Sequence, residues 1–481
     1  MKKRIFSFFV FRFSLKYVSL HRRYLCRITI EIVIIMKTLL KNGRLISDHR
    51  IQEADLLIEN ERIAKIASDI SAKEAQKVID LEGMWVLPGV IDDQVHFREP
   101  GLTHKATIAT ESVAAVAGGT TTFFDQPNTI PQTTTIAALE DKFATAARTS
   151  LANFSFLLGG TNDNIEELKR INPKNTAGVK LFLGSSTGNM LVDNEKTIET
   201  IFRNVSTLIA AHCEDEQTIR QNLEHYLSLY GAEIPVKCHP LIRSAEACYL
   251  SSSRAIALAK QTGARFHVFH LSTAKETELL DNSLPLGQKK ITAEACIHHL
   301  WFTDQDYDQK GVLIKWNPAV KTMEDREAIW QALLDNRIDV IATDHAPHTL
   351  EEKAAKEYQK IPSGAPLVQH ALVAALTMFQ QRGLPLERLV EKMCHNPAIL
   401  FRIQDRGYLR EGYYADIACV AEQSPWQVSK ENILYKCGWS PLEGTTFDYK
   451  VAYTFVNGHL VYDKGTILSQ EKGKRVLFDE F

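Results

Sequence analysis

The chain has 481 residues, of which 45% are apolar and 24% charged, and its formal net charge is −2. That length accommodates one large domain and a smaller one, and the even charge balance excludes nucleic acid or an anionic membrane surface as a partner of the whole chain. Eight cysteines with no C-x-x-C pair argue against a disulfide framework or a thiolate zinc site and fit reduced thiols, so a cytoplasmic protein is expected.

Residues 1–35 differ in kind, with eight Lys or Arg against the single acid Glu31. Their apolar run, 6–11, is cut by Arg12, far short of the ~20 residues that span a bilayer. No signal-peptide core or small-residue cleavage site is evident. We read Met36 as the start and 1–35 as spurious or disordered, with a basic membrane-surface arm as the alternative. From 36 to about 90, short β-type runs (38–41, 54–58, 62–66, 77–80) alternate with turn signals at Asn42-Gly43 and Glu59-Asn60. The same texture returns at 417–421, 450–456 and 459–462, the last two joined by Asn457-Gly458, a hairpin signal. Segments 36–87 and 408–470 are therefore expected to build one composite β domain around a middle domain, 88–407.

The middle alternates apolar β-rich runs with helix-like stretches, the pattern of βα units around a parallel sheet. Eight runs are legible: 86–97, 120–126, 154–158, 178–183, 208–212, 265–271, 290–297 and 339–343. Eight is the number a closed (β/α)8 TIM-type barrel requires, and its site is expected where the strands end. Polar residues recur at those ends. They are His96 and Arg98, then Asp125 and Asn128, Lys180 within the fourth run, His212, His270, the His298-His299 pair with Asn317 beyond it, and Asp344 through His348. Each alone is compatible with a structural role; their repetition at successive strand ends points to a metal site.

Imidazole and carboxylate without thiolate suit Zn²⁺ in an open catalytic site, with Mn²⁺ or Co²⁺ also compatible. Such a metal lowers the pKa of bound water from ~15.7 to about 7. Lys180 lies inside an apolar run, where a free ammonium is costly; a salt bridge or N-carboxylation by CO₂ would each resolve that. The small, polar segment 184–190 is either a mobile loop over the site or a surface turn. His104, His225, His239, His267 and His395 have no partner at informative spacing and are read as structural or exposed.

The runs Pro88-Gly-Val-Ile-Asp-Asp-Gln-Val-His-Phe-Arg-Glu-Pro-Gly, Gln126-Pro-Asn-Thr, Val179-Lys-Leu-Phe, His212-Cys-Glu-Asp, His270-Leu-Ser-Thr and Ala342-Thr-Asp-His-Ala-Pro-His resemble the cyclic amidohydrolases, and within them the dihydroorotases. The similarity extends from Met36 to about Gly465 and includes 407–416 and 435–444, both assigned on that basis to the composite sheet. The resemblance implies one or two Zn²⁺ per subunit. Lys180 would be a CO₂-derived carbamate bridging two metals, His212 and His270 would hold one metal, and His96 and Asp344 the other. It further implies that Arg98, Asn128, Asn317 and His348 hold the substrate. The reaction implied is the reversible interconversion of N-carbamoyl-L-aspartate and L-dihydroorotate in pyrimidine biosynthesis, by attack of metal-bound hydroxide with Asp344 as general base and acid. A homodimer or homotetramer with a small-molecule substrate is also implied.

The family's usual first motif is His-x-His, whereas this chain has Gln94-Val95-His96. An amide oxygen is a weaker ligand than imidazole, so one metal position is expected to be weak, altered or empty, with activity surviving. Two alternatives accompany this reading. One is a hydantoinase or allantoinase, against which Arg98 speaks. The other is an inactive scaffold partner of aspartate transcarbamoylase, against which the retained Lys180, His212, His270 and Asp344 speak.

Overall fold

The structure, a computed structural model, describes residues 36–184, 190–468 and 471–479. The extension 1–35 and residues 185–189 of the segment after Lys180 lie outside the described residues.

Thirteen strands lead from the first described residues through the middle of the chain. The first five, β1 (Lys37–Ser47), β2 (Arg50–Glu59), β3 (Arg62–Ala67), β4 (Lys77–Asp80) and β5 (Trp85–Pro88), belong to a mixed sheet. Its other half comes from the far end of the chain: β14 (Ile417–Ala421), β17 (Lys450–Val456), β18 (His459–Asp463) and β19 (Thr466–Ile467), in the order β19-β18-β17-β14-β5-β1-β2-β3, with β4 on β1. The composite sheet expected from the sequence is thus present, with β14 antiparallel to β5 at its seam. Its own core packs Leu40, Leu45, Leu56 and Ile58 against Ile417 and Phe455.

Two local expectations are corrected. Asn42-Gly43 is not a reversal but a bulge inside β1, where the β1–β2 register shifts and Asn42 has φ 55°. The Asn42 N–H donates to Asp55 Oδ1 at 2.9 Å, so the irregularity is held from the neighbouring strand. The chain turns instead at Asp48-His49, with φ 52° and 58°, the left-handed pair that a tight hairpin needs. Residues 435–444 likewise leave the composite sheet and pack on the barrel, where buried Trp439 donates from Nε1 to the His348 carbonyl at 2.7 Å. The expected Asn457-Gly458 hairpin between β17 and β18 is present, with φ 48° and 77°.

The barrel follows without a linker. Gly89 separates β5 from β6 (Val90–Val95), and a Cβ there would overlap Thr121 Oγ1, so only glycine permits the crossing. The remaining barrel strands are β7 (Thr120–Asp125), β8 (Asn153–Gly159), β9 (Gly178–Phe182), β10 (Ile209–His212), β11 (Phe266–Val268), β12 (Ile291–Cys296) and β13 (Val340–Ala342). All eight are parallel and consecutive. Their near-continuous burial is what helices on the outer face impose on a parallel sheet. Just beyond β13, a Val95–His345 bridge and a 2.7 Å bond from His96 N to His345 O join the first strand to the last.

Outer helices begin where Thr107, Thr135, Asn194, Asp215, Ser244 and Thr322 each accept the backbone N–H three residues on. The N-terminal end of the barrel is plugged by Phe401 and Ile403 together with Val476 and Phe478, which pack on Phe124, Leu157 and Val340. The last described residues thus close the barrel, beyond the boundary at 470 read from the sequence. Among the described residues, no helix is long and apolar enough to cross a membrane.

Candidate metal centre

A cavity of about 140 Å³ opens at the C-terminal ends of the strands. Its wall contains eight of the nine residues singled out from the sequence: His96, Arg98, Asn128, Lys180, His212, His270, Asn317 and Asp344. Three of them, Arg98, His270 and Asp344, have left-handed backbones, with φ of 66°, 39° and 45°. Each lies two or three residues past its strand, where the chain must turn sharply toward the axis. Non-glycine residues in this conformation carry a cost of roughly 1–2 kcal/mol that the surrounding packing must offset.

Two pairs of metal-capable atoms face each other in the cavity. His96 Nε2 is 3.1 Å from Asp344 Oδ1, while His96 Nδ1 is 2.8 Å from Asn128 Oδ1, which leaves Nε2 free of a proton. His212 Nδ1 and His270 Nε2 are 3.0 Å apart. His212 Nε2 lies 2.8 Å from Glu214 Oε2, and the same carboxylate forms a buried two-pronged pair with Arg243. Although burial raises it, Arg243 and His212 hold the Glu214 carboxyl well below the usual range. Burial lowers His96, His212 and His270, the last well below 6.5 because His212 and Lys180 also oppose its charge. All three are therefore neutral at pH 7, the state that binds metal.

Lys180 Nζ sits over the rings of Phe269, at 4.1 Å, and Phe182, at 4.8 Å, and has no ion pair among the described residues. The salt-bridge resolution is thus not the one adopted. Burial lowers the amine to about 7, so much of it is uncharged at neutral pH. Gln94 lines the same cavity, with its Oε1 3.7 Å from Cys296 Sγ.

The cationic side of the cavity is built around Arg98. Burial lowers its guanidinium only to about 10, so it remains a cation, with Asp344 and Asp125 as the nearest favourable charges. Its Nε donates to the Pro347 carbonyl at 3.1 Å, and His348 Nε2 lies 3.0 Å from its terminal nitrogen. His348 is the one singled-out residue that does not line the cavity; it braces Arg98 from behind, with Lys105 Nζ 3.0 Å from its Nδ1. Asn317 Oδ1 is buried without a hydrogen-bond partner among the described residues.

Several strand-end residues prove structural. Asp125 pairs with Lys142 at 2.6 Å and accepts from Phe97 N at 2.7 Å. His345 pairs with Glu111 at 2.9 Å and accepts two backbone N–H groups. His298 stacks on Trp316, with ring centroids 4.2 Å apart. His239 and His395 are buried and bonded to backbone carbonyls, at 2.6 Å each, as the sequence suggested. His267 is different: it faces Asp93 and Glu294, a cluster to which no sequence spacing pointed. The Glu214–Arg243 pair was also missed, although Glu214 stood in a quoted motif, because its partner lies 29 residues away. Ser363 and Gly364 enter the wall only because the segment after Asp344 folds back, which left no sequence signal.

The donor set fits a metal. Neutral imidazoles, a carboxylate and a lysine without an ion pair among the described residues converge on one cavity.

Residues 85–461 match the amidohydrolase family. The chain is 32% identical to a dihydroorotase of Methanosarcina mazei over 89% of this chain and 94% of that one. It is 34% identical to a dihydroorotase of Streptococcus pyogenes serotype M3, over 88% and 99%. Among solved structures, it superimposes on an L-hydantoinase (dihydropyrimidinase) from Arthrobacter aurescens with a TM-score of 0.85 and 28% identity, over 92% of this chain and 99% of that one. A dihydropyrimidinase from Brevibacillus agri shares the fold, with a TM-score of 0.83 at 22% identity, over 92% of this chain and 100% of the other.

Proposed function

The chain belongs to the amidohydrolase family, and we propose that it is a dihydroorotase, opening L-dihydroorotate to N-carbamoyl-L-aspartate and closing it in reverse. The observation that carries this reading is the placement of buried, cationic Arg98 in the same cavity wall as Lys180, His212, His270 and Asp344. A ring substrate with an exocyclic carboxylate needs both halves of that wall. Hydantoins and allantoin lack that carboxylate.

Metal dependence accompanies the family, and the ion we propose is Zn²⁺. His212 and His270 would hold one ion, His96 and Asp344 a second, and Lys180, carboxylated on Nζ, would bridge them. Carboxylation forms an N–C bond between the uncharged amine and CO₂ and releases a proton, so a lysine near neutrality is suited to it. A bound metal of this kind polarises a carbonyl and makes water nucleophilic at neutral pH. Gln94 offers only an amide oxygen, so the position beside His96 is the weaker of the two.

The chain's own groups do the rest. Arg98 pairs with the exocyclic carboxylate, braced by the Pro347 carbonyl and His348, and so fixes the ring in one orientation. Asn128, held by His96 Nδ1, and Asn317, with its unpartnered oxygen, present polar atoms to the ring amides. Asp344 takes the proton from the attacking water at a carboxylate oxygen and returns it to the ring nitrogen as the C–N bond breaks. Water thus adds across one amide bond, and no external reductant or oxidant is needed.

The purified protein should be assayed on dihydroorotate, hydantoin and allantoin, with metal content measured on the same sample. Turnover of dihydroorotate alone supports the reading. Preference for hydantoin, the activity named for the Arthrobacter aurescens neighbour, would replace it. No turnover with little bound metal would leave the scaffold role. A homodimer or homotetramer in the cytoplasm belongs to the same proposal, and sedimentation of the purified protein tests the assembly.

A further inference from the structure

Inside the barrel, outside the cavity wall, lies a second constellation. Asp93 on β6, His267 on β11 and Glu294 on β12 are fully enclosed, and none of them lines the cavity. One ligand atom from each lies within 4.8 Å of the other two. His267 Nε2 is 3.6 Å from Asp93 Oδ2 and 3.6 Å from Glu294 Oε2. His267 Nε2, both oxygens of Asp93 and Glu294 Oε2 have no hydrogen-bond partner among the described residues.

The hydrogen-bond pattern around the cluster fixes what it presents. His267 Nδ1 is 2.8 Å from Thr292 Oγ1, whose own hydroxyl is directed at the Phe266 carbonyl. That contact occupies Nδ1 and leaves Nε2 as the ring nitrogen that faces the carboxylates. Glu294 Oε1 accepts the His270 N–H at 2.9 Å, which turns Oε2 toward His267. Four polar atoms of the cluster are thus buried in a dry interior without a geometric hydrogen-bond partner among the described residues. Buried polar groups do not persist in that state uncompensated.

The rival occupant is a proton, since burial pushes the Asp93 carboxyl up to about 8 and the Glu294 carboxyl well above its usual value. A proton shared with the imidazole, however, would draw an oxygen to about 2.8 Å. The two 3.6 Å separations instead approach the ~3.4 Å edge of a tetrahedron with Zn–N and Zn–O bonds of about 2.1 Å. An imidazole whose other nitrogen is engaged by a fixed side chain, as His267 Nδ1 is by Thr292, is also how metal-binding histidines are oriented. Two carboxylates and one imidazole would leave a divalent ion exactly neutralised in charge.

We propose that Asp93, His267 and Glu294 form a divalent-cation site of the Zn²⁺ class inside the barrel, separate from the metal centre of the cavity. Its ion is taken up as the barrel closes and exchanges slowly, because no route to it is open. Through Glu294 it fixes the backbone of His270, so a structural ion supports a cavity residue. The site does not depend on which ring substrate the cavity takes.

The test is zinc retention. Purified wild-type protein loaded with Zn²⁺ is dialysed against EDTA until the cavity metal and the activity are gone, and zinc is counted by mass spectrometry. One zinc per chain is expected to remain, with an X-ray absorption spectrum of oxygen and nitrogen ligands including one imidazole. Asp93→Asn or Glu294→Gln, either one folded by circular dichroism, is expected to retain none. A wild-type protein that retains no zinc, a retained ion with two or more imidazoles, or a folded Asp93→Asn variant that keeps its zinc would each overturn the proposal. Should both variants fail to fold, the wild-type count and spectrum decide alone.

Discussion

In the proposed function, one buried residue, Arg98, decides the substrate class. It is 5% exposed, bonded to a carbonyl and a histidine, and still cationic, so it brings positive charge to the cavity wall. Arg98→Ala is expected to raise KM for dihydroorotate at least tenfold, because a charge-assisted bond contributes about 1.5–3 kcal/mol. Steady-state kinetics check this, and an unchanged KM refutes the role. Glu214 acts one step further out. Glu214→Gln is expected to weaken zinc retention about 10–100-fold in a chelator competition, since it removes the charge that orients His212. Lys180 was conspicuous in the sequence because a cation inside an apolar run needs a reason. Glu214 and His267 were not, because their meaning resides in partners on other strands.

At the scale of elements, the strand ends carry the site and the segments between them shape it. Strand ends were legible because each apolar run stops abruptly at a His, Arg, Asp or Lys. The wall contributed by Ser363 and Gly364, and the return of 435–444 over His348, were not, because loops have no periodicity that reports where they pack. Trp439 is the joint between that returning segment and the Arg98–His348 side of the cavity, through its bond to the His348 carbonyl. Trp439→Phe keeps most of the buried ring and removes the donor, leaving that carbonyl unpaired at about 1–3 kcal/mol. A several-fold rise in KM with a modest loss of thermal stability is expected; a pure stability loss with unchanged KM would separate Trp439 from the site.

At the scale of the whole molecule, the interior is rich in neutral histidine. Ten buried histidines are lowered by burial, among them His299 and His395 to about 4 and His370 to about 3. The unfolded chain takes up protons near pH 6.5 and the folded one does not, so their contribution is complete above pH 6.5. It is lost as pH falls toward 4, by on the order of 2 kcal/mol each at pH 5 for a group near 4 or below. Five carboxyls raised by burial, such as Asp92 at about 7, act in the opposite sense and gain as pH falls toward 3.8. Histidines outnumber them, so the urea midpoint is expected to drop between pH 7 and pH 5. A midpoint that rises would show that the carboxyls prevail.

The sequence by itself determined the eight barrel strands, the composite sheet from both ends, and eight residues of the cavity wall among the nine it singled out. It could do so because periodicity and abrupt polar endings are local properties of a chain, and a barrel turns successive strand ends into one wall. Only the tertiary structure decided that Asn42-Gly43 is a bulge, that His348 stands behind Arg98, and that the chain's last described residues plug the barrel. It alone brought Asp93, His267 and Glu294 together from strands 174 and 27 residues apart in sequence. Contacts between inward-facing residues of different strands depend on register and closure, which no local pattern encodes.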